Sequence, residues 1–232
     1  MGVGHPPYGW FASTSPAIPF PSLLSRQAQW THFLRKLGFA AGAHTGLPWL
    51  VAALCAPAPP PDSFGDNSSS PAGGASVSMD GFRAAVRALA VPVTHREVEA
   101  VMATCEPEGT TDAVSLDHLV EHAASTLVPA RRAAVADVFD SVARGSSVGV
   151  AELAARFRPE ATPQARGGAA APKEVLEAFL GFFIELGCDK DVPFTAFAAF
   201  HAGVSASIDA DAAFLRSLSD EWGWRPAAAA SE

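Results

Sequence analysis

Glu106, Glu108 and Asp112 place three carboxylates within seven residues of an acidic segment that runs from Cys105 to Val114. Oxygen donors at such close spacing suit a hard divalent cation, which is held by carboxylates, carbonyls and water. Glu152 is a further isolated carboxylate ahead of an apolar run. Two other pairings could do chemistry. His118 and His122 stand four apart, on one face of a helix, the spacing that clasps a transition metal when a third ligand joins them. Cys105 with His118 would imitate a thiol–imidazole pair, but nothing else in the chain supplies an orienting group.

The acidic segment sits inside a repeating frame. Valine, any residue, a large apolar residue, any two residues and then Phe or Leu occurs four times, at Val77–Phe82, Val114–Leu119, Val148–Leu153 and Val192–Phe197. The copies start 37, 34 and 44 residues apart. A period of this size marks one supersecondary unit used repeatedly. The frame fits the second half of an EF-hand, in which a short strand valine pairs with a sister loop and the exiting helix follows.

That register assigns the ligand positions. A calcium loop needs oxygen at positions 1, 3, 5, 7 and 9, Gly at 6 and a bidentate Glu at 12. Position 12 is Gly81, His118, Glu152 and Ala196, so one copy of four keeps the carboxylate. Position 9 is Ser78, Ser115, Gly149 and Pro193. The first loop offers hydroxyls without a carboxylate, the third is short and carries Arg144, and the fourth puts Ile184 where the first carboxylate belongs. The second loop is one residue too long and has His118 at the bidentate position, where imidazole suits a hard cation poorly. Glu106, Glu108 and Asp112 are therefore the remaining candidate metal ligands. They are expected to form a solvated acidic loop, with no calcium affinity tighter than roughly millimolar. No resident cofactor is expected.

The elements around these loops follow from periodicity. Helices are expected over 26–39, 47–56, 80–90, from the Thr94/Glu97 capping box to about 104, 116–126, from Pro129 through Val142, 151–157, through the apolar pair built on Val175–Phe183 and Phe194–Phe200, and over 209–222 with a cap near Asp209. The expected fold is all-α: four degenerate helix–loop–helix units paired into two lobes, one with two and three with four. Residues 1–25 read as an extended Pro/aromatic arm, 26–127 as the first pair with an insertion at 57–76, 128–224 as the second pair, and 225–232 as a tail. Tyr8, Trp10, Phe11 and Phe20 give the arm anchors of the kind that fill pockets on a partner.

At the last pair the residues resemble a known family. Val175-Leu-Glu-Ala-Phe179-Leu, Phe183 and the string Phe197-Ala-Ala-Phe200-His-Ala-Gly203-Val-Ser-Ala-Ser207-Ile-Asp209-Ala-Asp211 are similar to the fourth EF-hand and C-terminal helix of calcyphosine, with Trp222 in the family's final helix. Leu34-Arg35, Gly42-Ala43 and Gly46-Leu47 resemble the family's lead into its first hand. The resemblance covers about residues 29–224. It implies a cytosolic four-EF-hand protein of two lobes, usually calcium-binding, in a family with members on or inside axonemal doublet microtubules. The ligand positions depart from the family in every unit, and no metal site is carried over.

Composition bounds the function classes. The 232 residues carry net charge −8 with no basic run, which argues against a nucleic-acid partner. Pro57, Pro59, Pro60 and Pro61 interrupt the one long uncharged tract, so no membrane helix is expected. Three widely spaced cysteines, Cys55, Cys105 and Cys188, read as reduced thiols in the cytoplasm. No enzyme is expected, since no nucleophile, base and metal constellation is present. The expected role is a structural or scaffolding component of the ciliary or flagellar axoneme, with tubulin or other axonemal proteins as partners. The alternative is a cytosolic calcium sensor or adaptor with one residual site. Arg35-Lys36 and Arg131-Arg132 are the only paired cations available to meet an acidic partner.

Overall fold

The chain is mostly helical in the computed structural model, which describes residues 26–56, 76–106, 113–143 and 145–225. The helices are α1 (Arg26–Ala41), α2 (Gly46–Cys55), α3 (Met79–Ala88), α4 (His95–Met102), α5 (Leu116–Ser125), α6 (Pro129–Val142), α7 (Val150–Arg156), α8 (Pro163–Arg166), α9 (Pro172–Glu185), α10 (Phe194–Ala206) and α11 (Asp211–Trp222). Four short strands interrupt them: β1 (Ser76–Ser78), β2 (Ala113–Ser115), β3 (Ser147–Val148) and β4 (Val192–Pro193). The expected arm at 1–25, the bulk of the insertion at 57–76 and the tail beyond 225 lie outside the described residues.

Each copy of the repeated frame becomes a strand followed at once by a helix. β1 pairs antiparallel with β2, placing Val77 opposite Val114, and β3 pairs antiparallel with β4, placing Val148 opposite Val192. The four frame valines are thus the central residues of two small ribbons. Val114, Val148 and Val192 are buried, and Val77 packs at the edge of the core. The last apolar residue of each frame, at Phe82, Leu119, Leu153 and Phe197, is fully buried on the exiting helix. Ser76 belongs to β1, so the insertion ends one residue earlier than its sequence suggests.

α1 and α2 meet at 91° across a turn built on Gly42, whose φ is +95°, a backbone region glycine enters without a Cβ penalty. The pair then lies across the second half of the chain: α1 packs on α10 and α2 on α9 and α10, while α5 packs along α10. One apolar core runs through the whole assembly and crosses the 127/128 boundary without a break. α10 is its centre, buried at Ala196 through Val204 on every face. Close approach explains the small residues there. A Cβ on Gly203 would stand 3.2 Å from Leu47 Cβ, and one on Gly38 would collide with Ser207 Oγ. The Gly203–Ser207 string is small because α1 and α2 press on it.

The aromatic residues concentrate in the second half. Phe179 stacks on Phe157 at 4.4 Å and meets Phe183, Phe200 and Trp222 edge-on, and Phe197 meets Trp222 at 5.2 Å. Each large side chain so buried contributes roughly 1.5–3 kcal/mol.

Two segments differ from the sequence expectation. The linker expected at 159–172 contains a 3-10 turn at Pro159–Ala161 and the short α8, started by Thr162, whose hydroxyl accepts from the Ala165 N–H. The last helix begins at Asp211 rather than 209, and Asp209 does not cap it. Asp209 is instead engaged elsewhere: its carboxylate pairs with Arg35 and its carbonyl accepts from Arg131.

Candidate functional site

The loops and ribbons are the place where the repeated frame could hold an ion. In the first two copies of the frame the serines expected at loop position 9 are helix caps. Ser78 Oγ accepts from the Gly81 N–H at 3.1 Å, and Ser115 Oγ accepts from the His118 N–H at 3.3 Å. Each hydroxyl satisfies the backbone N–H three residues on, one of the orphan donors of a helix N-terminus. Gly149 and Pro193, in the other two units, have no side-chain cap bond. Glu152 stands in the first turn of α7, where a carboxylate complements the helix dipole.

Of the candidate ligands, Glu106 is half-buried at the end of the described stretch, while Glu108 and Asp112 fall outside the described residues, as does Arg144. Among the described residues no group of three or more His, Cys, Asp or Glu side chains is disposed to hold a metal ion. His118 and His122 are not the solvated pair their spacing suggests. Both are half-buried on α5, and His122 stacks on Trp30 at 5.8 Å with ring planes 17° apart. Trp30 in turn donates its indole N–H to Thr104 Oγ1 at 2.8 Å, so α5 is tied through α1 to the end of α4.

Cys105 is buried, and burial pushes its thiol up to about 12, with the Thr104 hydroxyl 3.9 Å away opposing weakly. A thiol held protonated in this way is a core residue and no nucleophile. Burial also raises the thiols of Cys55 and Cys188.

The densest polar chemistry lies where no motif pointed. His44, in the turn between α1 and α2, is fully buried and meets Glu221 of α11, its Nε2 3.0 Å from Oε1. Ser217 Oγ donates to the same carboxylate oxygen at 2.6 Å. Burial pushes the Glu221 carboxyl up, but the His44 charge and hydrogen bond, with the Ser217 hydroxyl, outweigh it and hold the group below the usual carboxylate value. His201 of α10 is also fully buried, enclosed by Phe197, Phe200 and Trp222 with ring centroids 4.5–5.9 Å away. Neither of its ring nitrogens has a hydrogen-bond partner. Burial drives its pKa down to about 3, with Glu221 opposing and His44 adding to the shift. The cluster joins α11 to the first interhelical turn across 177 residues of sequence, a separation that leaves no local signal.

Three of the four cations that pair in sequence meet carboxylates within the fold. Arg131 is 6 % exposed and clamps the α10–α11 connection. It donates to Asp211 at 2.6 Å, to the Ser205 carbonyl and hydroxyl, and to the carbonyls of Ile208 and Asp209, with its guanidinium over the Phe214 ring. Arg132 lies over the Phe194 ring. Arg35 pairs with Asp209, and Lys36 donates to both oxygens of Glu97 at 2.8 and 2.9 Å. The Arg35–Asp209 pair joins the two halves of the chain, while the Lys36 and Arg131 contacts each brace one half and Arg132 stays exposed.

The site as built can brace helices. No protein-family model matches the chain, and no curated protein matches it.

Proposed function

We propose that this protein is a non-enzymatic, calcyphosine-like chain of four EF-hand-type units whose loops have lost most calcium ligands, and that it serves as a structural or scaffolding component, of the ciliary or flagellar axoneme, held against microtubules or their associated proteins. The observation that carries the reading is the fate of the loop positions. The pairing valines keep their ribbons while the position-9 serines of the first two units cap helices. A sensor hand opens when calcium binds and exposes an apolar groove. Here α1 and α2 lie across α9 and α10 and share their core, so opening the second half would have to break that packing as well. Hands closed by packing and missing ligands suit a constitutive binding surface.

The test is sequential extraction of cells with non-ionic detergent and then high salt, followed by immunoblot. Retention in a salt-resistant cytoskeletal or axonemal pellet is expected. Release into the first soluble fraction would replace this reading with that of a cytosolic adaptor or residual sensor, and calcium titration of the loop holding Glu106 would then decide between those two.

A further inference from the structure

The polar cleft between the α7–α8 connection and the end of α11 is a place where cations far apart in sequence converge. It encloses about 460 Å³ and is lined by Arg158, Arg166 and Arg225 together with Glu160, Asp220 and Trp224. All three arginines are exposed. The cleft is held in shape by the chain around it. The Arg158 N–H donates to the Glu221 carbonyl at 2.9 Å, pinning this connection to α11. Gly223 ends α11 in the left-handed region at φ +64°, and a Cβ there would stand 3.0 Å from Arg158 Nη2, so the missing side chain leaves the space that the guanidinium occupies. The Ser219 hydroxyl donates to the Trp224 carbonyl, turning the chain so that Arg225 follows into the cleft. Arg166 is already answered by Asp220 at 2.8 Å. Arg158 and Arg225 have no side-chain ion pair among the described residues.

We propose that this cleft is a docking site for an acidic, carboxylate-rich segment of a protein partner, a reading that rests on the scaffolding role and supplies its contact surface. Guanidinium forks match carboxylates in a bidentate, planar geometry. With Asp220 answering Arg166 and Glu160 the remaining lining carboxylate, Arg158 and Arg225 leave the cleft a small net positive charge, complementary to carboxylates presented along an extended segment. On a chain of net charge −8 such a local patch is what an acidic partner requires.

The full-length protein is titrated against a fluorescein-labelled octaglutamate peptide by fluorescence anisotropy, at about 50 mM and about 300 mM salt. Binding is expected at the lower salt and weakening at the higher. R158A/R225A is expected to bind about tenfold more weakly, while R87A/R96A, which removes two exposed arginines on α3 and α4, binds as the wild type does. Far-UV circular dichroism melts confirm that both variants are folded. Absence of binding at the lower salt, or equal loss in both variants, overturns the proposal. Extraction from cells separates its failure from that of the scaffolding role. Wild type in the pellet with R158A/R225A released supports both. Equal retention of the two overturns the cleft's part alone. Wild type in the first soluble fraction overturns the scaffolding role.

Discussion

Replacing His201 by leucine separates the cost of a buried imidazole from the packing around it. His201 is an unpartnered base in an aromatic cage, with its pKa lowered from 6.5 to about 3 by burial. Between those values the unfolded chain binds a proton that the folded chain refuses. Stability is therefore complete above pH 6.5 and declines as pH falls toward 3. The slope approaches 1.4 kcal/mol per pH unit, and integration from pH 8 to pH 4.5 makes about 3 kcal/mol for this one group. Glu221, whose pKa is lowered from 4.5, acts in a lower window: its contribution is present above 4.5 and is lost as pH falls through its folded value. The two effects are thus separable. Leucine removes the proton and both orphan nitrogens at similar volume, and relief of an unsatisfied buried group is worth about 1–3 kcal/mol. Urea unfolding followed by tryptophan fluorescence at a series of pH values compares the two proteins. H201L is expected to match or exceed the wild type at pH 8, and its advantage should grow by about 3 kcal/mol at pH 4.5. A difference that stays constant with pH refutes the argument, as does a variant much weaker than the wild type at pH 8.

Four further outcomes follow from named contacts. Isothermal titration should find no calcium affinity tighter than roughly millimolar, and a micromolar site would contradict the proposed reading of the loops; solution scattering with chelator and with calcium should superpose. Arg131→Met should cost about 3 kcal/mol in chemical denaturation, because the Ser205, Ile208 and Asp209 carbonyls lose their donor, and Arg131→Lys should not restore it, since an ammonium cannot serve several directions at once. Thr94→Ala should cost about 1 kcal/mol by removing the α4 cap, and Glu97→Ala more, because Glu97 also receives Lys36; a Glu97→Ala cost no larger than that of Thr94→Ala would show that the Lys36 contact contributes nothing. Cys105 should resist a thiol reagent in the native protein and react only on unfolding, whereas fast labelling of all three thiols would show the core to be open.

Local signals located most of the elements. Thr94 and Glu97 form the reciprocal capping box that their spacing announced, because both partners lie within one turn. Pro129 opens α6 for the same kind of reason, since its fixed φ and missing N–H suit a first helical turn. Where the sequence misled, a distant partner had intervened. Asp209 stood where a cap was expected, but Arg35 and Arg131 engage it, and the helix starts two residues later. His118 and His122 had the spacing of exposed ligands, yet Trp30 covers His122. The charge pairs Arg35-Lys36 and Arg131-Arg132 looked free because their acceptors lie between 61 and 174 residues away for Lys36 and Arg35.

By itself the sequence determined the repeated frame, most of the helix starts, the burial of Phe82, Leu119, Leu153 and Phe197, and the poverty of the loops in metal ligands. All of these depend on residues within about one or two turns of each other, where spacing and propensity act directly. The tertiary structure alone decided which buried polar groups meet. Only folding brings His44 to Glu221, encloses His201 without a partner and gathers Arg158, Arg166 and Arg225 around one cleft. Those contacts arise from the stacking of α1 and α2 on α9 and α10 and from the return of α11 to the first turn, and they join residues whose neighbours in sequence carry no trace of the encounter.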